Sequence, residues 1–223
     1  GVINIYQVEL TSRKRKKMNL KQALEAIKPL DKEAILRCKE RWDSIGKPLY
    51  SLGKLETETA RIAGMFGTSD VRLDKKALVI MCADHGVLEE GVSQSPVEVT
   101  AIVAENFMTM EASASLMARR AGVDVFPVDI GVAQDTKIIN RKIAYGTENM
   151  AKGCAMTREQ AVKGIEVGIQ MVEELKQKGY QIVCTGEMGV GNTTATSAMA
   201  AVMLGESVET VTGRGSGLTD QGL

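Results

Sequence analysis

Aromatic side chains are scarce, at 4% of 223 residues, with one tryptophan and one histidine. A surface that stacks on nucleic-acid bases needs more of them, so that class of function is disfavoured. Net charge is also missing, because 28 Lys and Arg balance 28 Asp and Glu. Such a chain lacks the basic face that nucleic acid or an anionic membrane requires. No apolar run is long enough to span a bilayer, and no signal peptide is visible. A single histidine cannot build a polyhistidine metal centre, and no serine–histidine–acid signature surrounds it. None of the four cysteines (Cys38, Cys82, Cys154, Cys184) is paired at metal-ligand spacing. Cys82 and Cys184 each end an apolar run, which predicts free, buried thiols in a reducing cytoplasm, with no metal and no cofactor.

What is present is 44% hydrophobic content, enough for one large domain or a domain with a helical appendage. Residues 1–17 end in the basic run Arg13–Lys17 and read as leader sequence ahead of a natural start at Met18. Residues 18–70 read as helical. Asp31 caps a helix running to about Ile45 that turns Ile35, Cys38 and Trp42 inward. A second helix carries Leu55, Thr59, Ile62, Ala63 and Phe66 at helical spacing. Residues 71–223 read as an α/β domain. Ala77–Cys82 is a continuous apolar run of strand length, the pattern of a strand covered on both faces of a parallel sheet. Val123–Val128 and Gln181–Cys184 are further strands, with a possible fourth at Val208–Thr212. Helices are predicted from Pro96 to about Arg119, after a Thr157/Gln160 capping box, and from Ala195 to Leu204. Ser95, Pro96 and Glu98 fit the N-cap, first turn and capping box of the first of these. The fold class is therefore α/β: a doubly wound, mainly parallel sheet with flanking helices and a small helical N-terminal subdomain. Residues 213–223 read as a loop entering another helix, so a further C-terminal part is expected.

The most informative stretch is Gly186–Thr194, Gly-Glu-Met-Gly-Val-Gly-Asn-Thr-Thr, between a strand and a helix. Glycines let backbone approach a ligand, and the first helix amides and the helix dipole favour an anion there. The loop is not a P-loop, since Asn192 stands where that motif needs lysine. It is not a dinucleotide fingerprint either, since Thr194 replaces the third glycine. What remains is a loop suited to one monophosphate. Glu187 should avoid that phosphate: it either faces a ribose hydroxyl or a ring nitrogen that loses a proton, or turns to solvent. Asp84, His85 and Gly86 follow the first strand, and Asp84 is the nearest obvious partner to set the His85 tautomer. Gly213, Gly215, Ser216 and Gly217 form a second permissive loop. All three turns follow predicted strands and should converge on one cleft.

Four segments together resemble the nicotinate-nucleotide–dimethylbenzimidazole phosphoribosyltransferase family: Lys47–Glu56, Met81–Val87 with Glu90–Ser93 and Ser95–Pro96, Gly186–Thr194, and Gly213–Leu218. The resemblance implies a homodimer that transfers phosphoribose from nicotinate mononucleotide to 5,6-dimethylbenzimidazole. By that likeness Ser95 and Met188 border the base, with Asp84 and His85 beside the substrates. Gly189–Thr194 and Gly213–Gly217 hold the phosphate, and Glu187 lies by the reacting groups. Two departures accompany it. The first segment reads Lys-Pro-Leu-Tyr-Ser-Leu-Gly rather than the usual Lys-Pro-Pro-Gly-Ser-Leu-Gly. The sequence also ends before the family's glutamate general base and a phosphate-contacting lysine. Glu187 is then a secondary base, and this 223-residue form is expected to be slow or inactive. A non-catalytic nucleotide-monophosphate-binding remnant is the alternative.

Overall fold

The computed structural model describes residues 18–219, so the basic run at 13–17 and residues 220–223 lie outside the described residues. Lys21–Asp74 forms one compact unit, and the described residues from Lys75 onward, with Met18–Leu20, form the other. Among the described residues no helix is long and apolar enough to cross a membrane.

A short helix, α1 (Leu20–Glu25), leads to α2 (Lys32–Asp43). Asp31 caps α2 by accepting from the Ala34 amide at 3.0 Å, and its own amide donates to Gly64 O in α3 (Lys54–Phe66). Cys38, Ala60 and Ala63 form the buried centre of this unit, with Ile35, Trp42 and Val71 packed against it. The inward face of α3 is Glu56, Ala60, Ala63 and Gly64, which shares Ala63 with the set read from the sequence, while Leu55 and Phe66 are exposed. Two causes rotate it. Small residues admit α2 so closely that a Cβ on Gly64 would lie 2.7 Å from Ile35 Cγ1. Glu56 is also drawn inward, its Oε1 2.9 Å from Lys47 Nζ and accepting from the Leu52 amide at 3.1 Å. The Lys47 ammonium holds the Glu56 carboxyl below the ordinary carboxylate range.

In the second unit β1 (Lys76–Ala83) is followed by a single 3₁₀ turn (Gly86–Glu90), α4 (Glu98–Thr109), α5 (Ser113–Arg120) and β2 (Val123–Gly131). Then come β3 (Ile139–Asn140), α6 (Arg158–Gln177), β4 (Ile182–Met188), α7 (Asn192–Leu204) and α8 (Val208–Val211). The strands form one parallel sheet in the order β3-β2-β1-β4. As the continuous apolar run of β1 predicts, that strand is covered on both sides. Its Ile80 and Cys82 join Ala101, Ala104, Phe107 and Ala118 of α4 and α5, and its Ala77 and Val79 join Met171 and Leu175 of α6. Period-2 alternation thus serves two separate cores.

Several sequence expectations are corrected. The segment after Pro96 is two helices, because Met110 adopts a left-handed φ of 61° and ends α4 at Thr109. Ser95 does not cap α4. Its amide donates to Ser93 Oγ, and Pro96 and Val97 accept i+3 bonds that open the helix without a side-chain cap. The Thr157/Gln160 capping box is present as expected, and α6 turns Met171 and Leu175 inward, with Ile165 and Val172 half exposed. β4 runs on through Gly186-Glu187-Met188, and α7 begins at Asn192 rather than Ala195. Val208–Val211 is a helical turn, not a strand, because Ser207 Oγ caps it by accepting from the Thr210 amide. Cys184 is exposed on edge strand β4, not buried.

Two expected outcomes follow from this packing. Met171→Ala should cost about 2–5 kcal/mol as a core cavity, whereas Val172→Ala should stay within roughly 0.5 kcal/mol. Urea denaturation of the two variants checks the orientation of α6, and the reverse ranking would refute it. Iodoacetamide under native conditions should modify Cys154 and Cys184 well before Cys38 and Cys82, read by peptide mass spectrometry. Burial pushes the Cys82 thiol up to about 12, so it offers almost no thiolate at neutral pH.

Candidate functional site

The chain lays β2 and β3 on one side of β1 and then crosses to place β4 on the other. That reversal opens a crevice beyond the carboxyl ends of β1 and β4, where open parallel sheets bind ligands. Asp84–Gly86 follows β1 there, and Gly189–Gly191 follows β4.

The first turn is held on several sides. The Asp84 amide donates to Gly131 O, its carbonyl accepts from the Thr147 amide, and its Oδ2 accepts from the Ala133 amide at 2.7 Å. The Gly86 amide donates to Thr147 Oγ1 at 3.1 Å, and a Cβ on Gly86 would lie 2.6 Å from the backbone of residues 147–148. Asp84 Oδ1 is buried with no hydrogen-bond partner among the described residues. Because Asp84 is turned to Ala133, it is not the acid that faces His85. That acid is Glu187, whose Oε1 lies 3.6 Å from His85 Nε2.

The second turn rests directly on the first. A Cβ on Gly189 would stand 2.2 Å from Ala83 O and 2.9 Å from His85 Nε2, so only glycine fits. The Val190 amide donates to the buried Oγ1 of Thr100 in α4 at 3.0 Å. Gly191, at φ 87°, takes the left-handed conformation and caps α7. The amides of Asn192 and Thr194 fold back on Gly189 O and Gly191 O. Those of Gly191 and Thr193 form no hydrogen bond among the described residues, which leaves two donors for an anion.

The second glycine loop reaches the same place. A Cβ on Gly215 would lie 2.8 Å from Thr193 Oγ1, and Gln94 Nε2 donates to Gly217 O. The structure therefore brings together Asp84, His85, Glu187, Gly189–Thr194 and Gly213–Gly217. Ser95 is half-buried on the segment that carries Gln94. Met188 packs against the α4-side core. Thr100 and Thr147 were missed from the sequence. Thr100 sits mid-helix with no periodic signal, but the turn-rich run Tyr145–Asn149 was a readable sign of the loop that carries Thr147. A cavity of about 960 Å³ opens beside Ala83, Ile143, Gly146, Met156 and Gly164; Thr147 lines it, but none of the site residues predicted from the sequence does. Among the described residues no cluster of acids, histidine and cysteines could hold a metal.

The class defined by this fold and crevice is that of doubly wound α/β proteins with a glycine turn opening a helix at the switch point. The chain belongs to a phosphoribosyltransferase family, whose model matches residues 27–223. It is 45% identical over 206 residues to a nicotinate-nucleotide–dimethylbenzimidazole phosphoribosyltransferase of Clostridium tetani, covering 91% of this chain and 57% of that protein. It is 46% identical over 207 residues to the Clostridium acetobutylicum protein of the same description, covering 92% and 59%. The crystal structure of CobT from Thermus thermophilus is similar with a TM-score of 0.80 at 36% identity, covering 85% of this chain and 58% of that one. The chain thus spans under two thirds of the relatives it matches.

The fit between the two turns gives a sharp test. Gly189→Ala should destabilise the protein by about 1–3 kcal/mol through overpacking, while Gly213→Ala, with open space around it, should stay within roughly 0.5 kcal/mol. Thermal unfolding distinguishes them, and equal melting temperatures would show that the turns do not meet as described.

Proposed function

We propose that the protein transfers phosphoribose from nicotinate mononucleotide to 5,6-dimethylbenzimidazole, giving α-ribazole 5′-phosphate and nicotinate in the assembly of cobalamin. The supporting observation is that one carboxylate, Glu187, shares a crevice with a glycine turn whose Gly191 and Thr193 amides are unpaired among the described residues, and with a second glycine loop packed on Thr193. Gly189, Val190, Gly191, Asn192, Thr193 and Thr194 receive the ribose phosphate, with Gly213, Gly215, Ser216 and Gly217 closing over it. Asp84 and His85 lie beside the substrates. Ser95 and Met188 border the benzimidazole. We further infer that the protein works as a homodimer, which the family resemblance supports, in a reducing cytoplasm, which its free cysteines suit.

The chemistry requires no metal. One benzimidazole nitrogen attacks the anomeric carbon opposite the leaving nicotinate, forming the new glycosidic bond as the old one breaks with inversion. The N–H proton of the other ring nitrogen passes to a carboxylate, a role Glu187 can serve alone or beside a second acid. The rest is positioning: two rings held in line convert a bimolecular step into an effectively unimolecular one.

The test is chromatographic. The natural gene product incubated with nicotinate mononucleotide and dimethylbenzimidazole should release nicotinate, and Glu187→Gln should lower kcat about a hundredfold, the lower range for a general base. Binding of the mononucleotide without release would instead identify a non-catalytic binding protein. Absence of both binding and release would end the assignment.

A further inference from the structure

His85 is the only histidine in the chain, and its side chain is largely buried. Its backbone is extended, at φ −118° and ψ 118°, where β1 gives way to the 3₁₀ turn. The ring lies under the Gly189 backbone, close enough that a Cβ there would meet Nε2 at 2.9 Å and Cδ2 at 3.0 Å. The side chain is 14% exposed, and Nε2 itself is buried without a hydrogen-bond partner among the described residues. A buried ring nitrogen in that state is costly, so the structure calls for a partner. The nearest acid is Glu187, 3.6 Å away and half exposed. That distance exceeds a hydrogen bond, but a small rotation of the freer Glu187 side chain closes it to the usual length of about 2.8 Å. Asp84 turns its Oδ2 to the Ala133 amide and makes no ion pair with His85, and Glu89 and Glu90 are bound by Lys152 and Asn149.

We propose that His85 is a positioning residue for Glu187. Its Nε2–H donates to one carboxylate oxygen and leaves the other pointing into the crevice. This rests on the reading of Glu187 as a proton acceptor. His85 keeps its own proton throughout, and the proton removed from the benzimidazole goes to the free oxygen of Glu187. Because Gly189 fixes the ring, the donor sits in one place whether or not substrate is bound, so the carboxylate is oriented before the reaction begins.

Side-chain reach makes the test specific. Glutamine places its amide nitrogen near the position of histidine Nε2, whereas asparagine matches Nδ1 and leucine offers no donor. His85→Leu and His85→Asn should each lower kcat about tenfold with little change in KM for nicotinate mononucleotide, and His85→Gln should recover most of the loss. A KM effect without a kcat effect, or asparagine rescuing as well as glutamine, would overturn the proposal. A second measurement stands apart from catalysis. Nitrogen NMR of this histidine-labelled chain shows a single imidazole, expected as the Nε2–H tautomer, with an Nε2 resonance that moves in Glu187→Ala. An Nδ1–H tautomer, or identical spectra in both proteins, would overturn it. If the natural protein released no nicotinate, the functional reading would fail while the spectra still decided the His85–Glu187 contact.

Discussion

The absence of a side chain at Gly189 governs the crevice. Its Cα lies so near Ala83 O and the His85 ring that the two strand ends meet almost backbone to backbone. Without that approach the turn would lift away from β1, and the Val190 amide could not reach Thr100 in α4. One missing methyl group therefore couples three elements, β1, β4 and α4, and leaves Gly191 free to take the left-handed conformation that starts α7.

The other wall is built around a buried charge. Asp129, at the end of β2, is 1% exposed and lies 3.2 Å from Lys142 Nζ. Its Oδ1 accepts from the Val132 amide and its Oδ2 from the Thr136 hydroxyl, while Lys142 also donates to the carbonyls of Val132 and Gln134. Every bond in that set shapes the turn after β2, and that turn presents the Ala133 amide to Asp84. A buried pair of this kind adds little net stability over an apolar one, because desolvation offsets the attraction. Its contribution here is geometric: it fixes the loop that turns Asp84 away from His85 and leaves Glu187 as the facing acid.

Features that depend on near neighbours were legible in the sequence. The Asp31 cap and the Thr157/Gln160 box are local hydrogen bonds, and the apolar run of β1 needs only cover on both faces to be read as a central strand. The glycine turn was legible for the same reason, since its composition reflects its own backbone. What failed depends on distant surroundings. The face of α3 follows from how closely small residues let α2 approach. Val208–Val211 has strand-like residues, yet a single Ser207 cap outweighs their preference. Thr100 and Thr147 matter through bonds to residues distant in sequence, their hydroxyls accepting from amides 90 and 61 positions away.

Electrostatics poses one conflict in this site, and the pleat of β4 resolves it. An anion at the Gly189–Thr194 turn would repel a nearby carboxylate, yet Glu187 lies only two residues before that turn. Successive residues of a strand point to opposite faces. Met188 packs toward α4, on the side where Thr100 holds the turn, so Glu187 points to the other face. The register agrees: Glu187 is opposite Met81, which packs with the α6-side core, and Met188 is opposite Cys82, which packs with the α4-side core. Adjacent residues thus turn the carboxylate away from the anion-binding amides within one crevice. His85, held beneath Gly189 at the same strand end, lies within 3.6 Å of that acid. Shifting the strand by one residue would exchange the two faces and turn the carboxylate toward the amides. The extension of β4 through Met188 therefore belongs to the chemistry of the crevice as much as to the sheet.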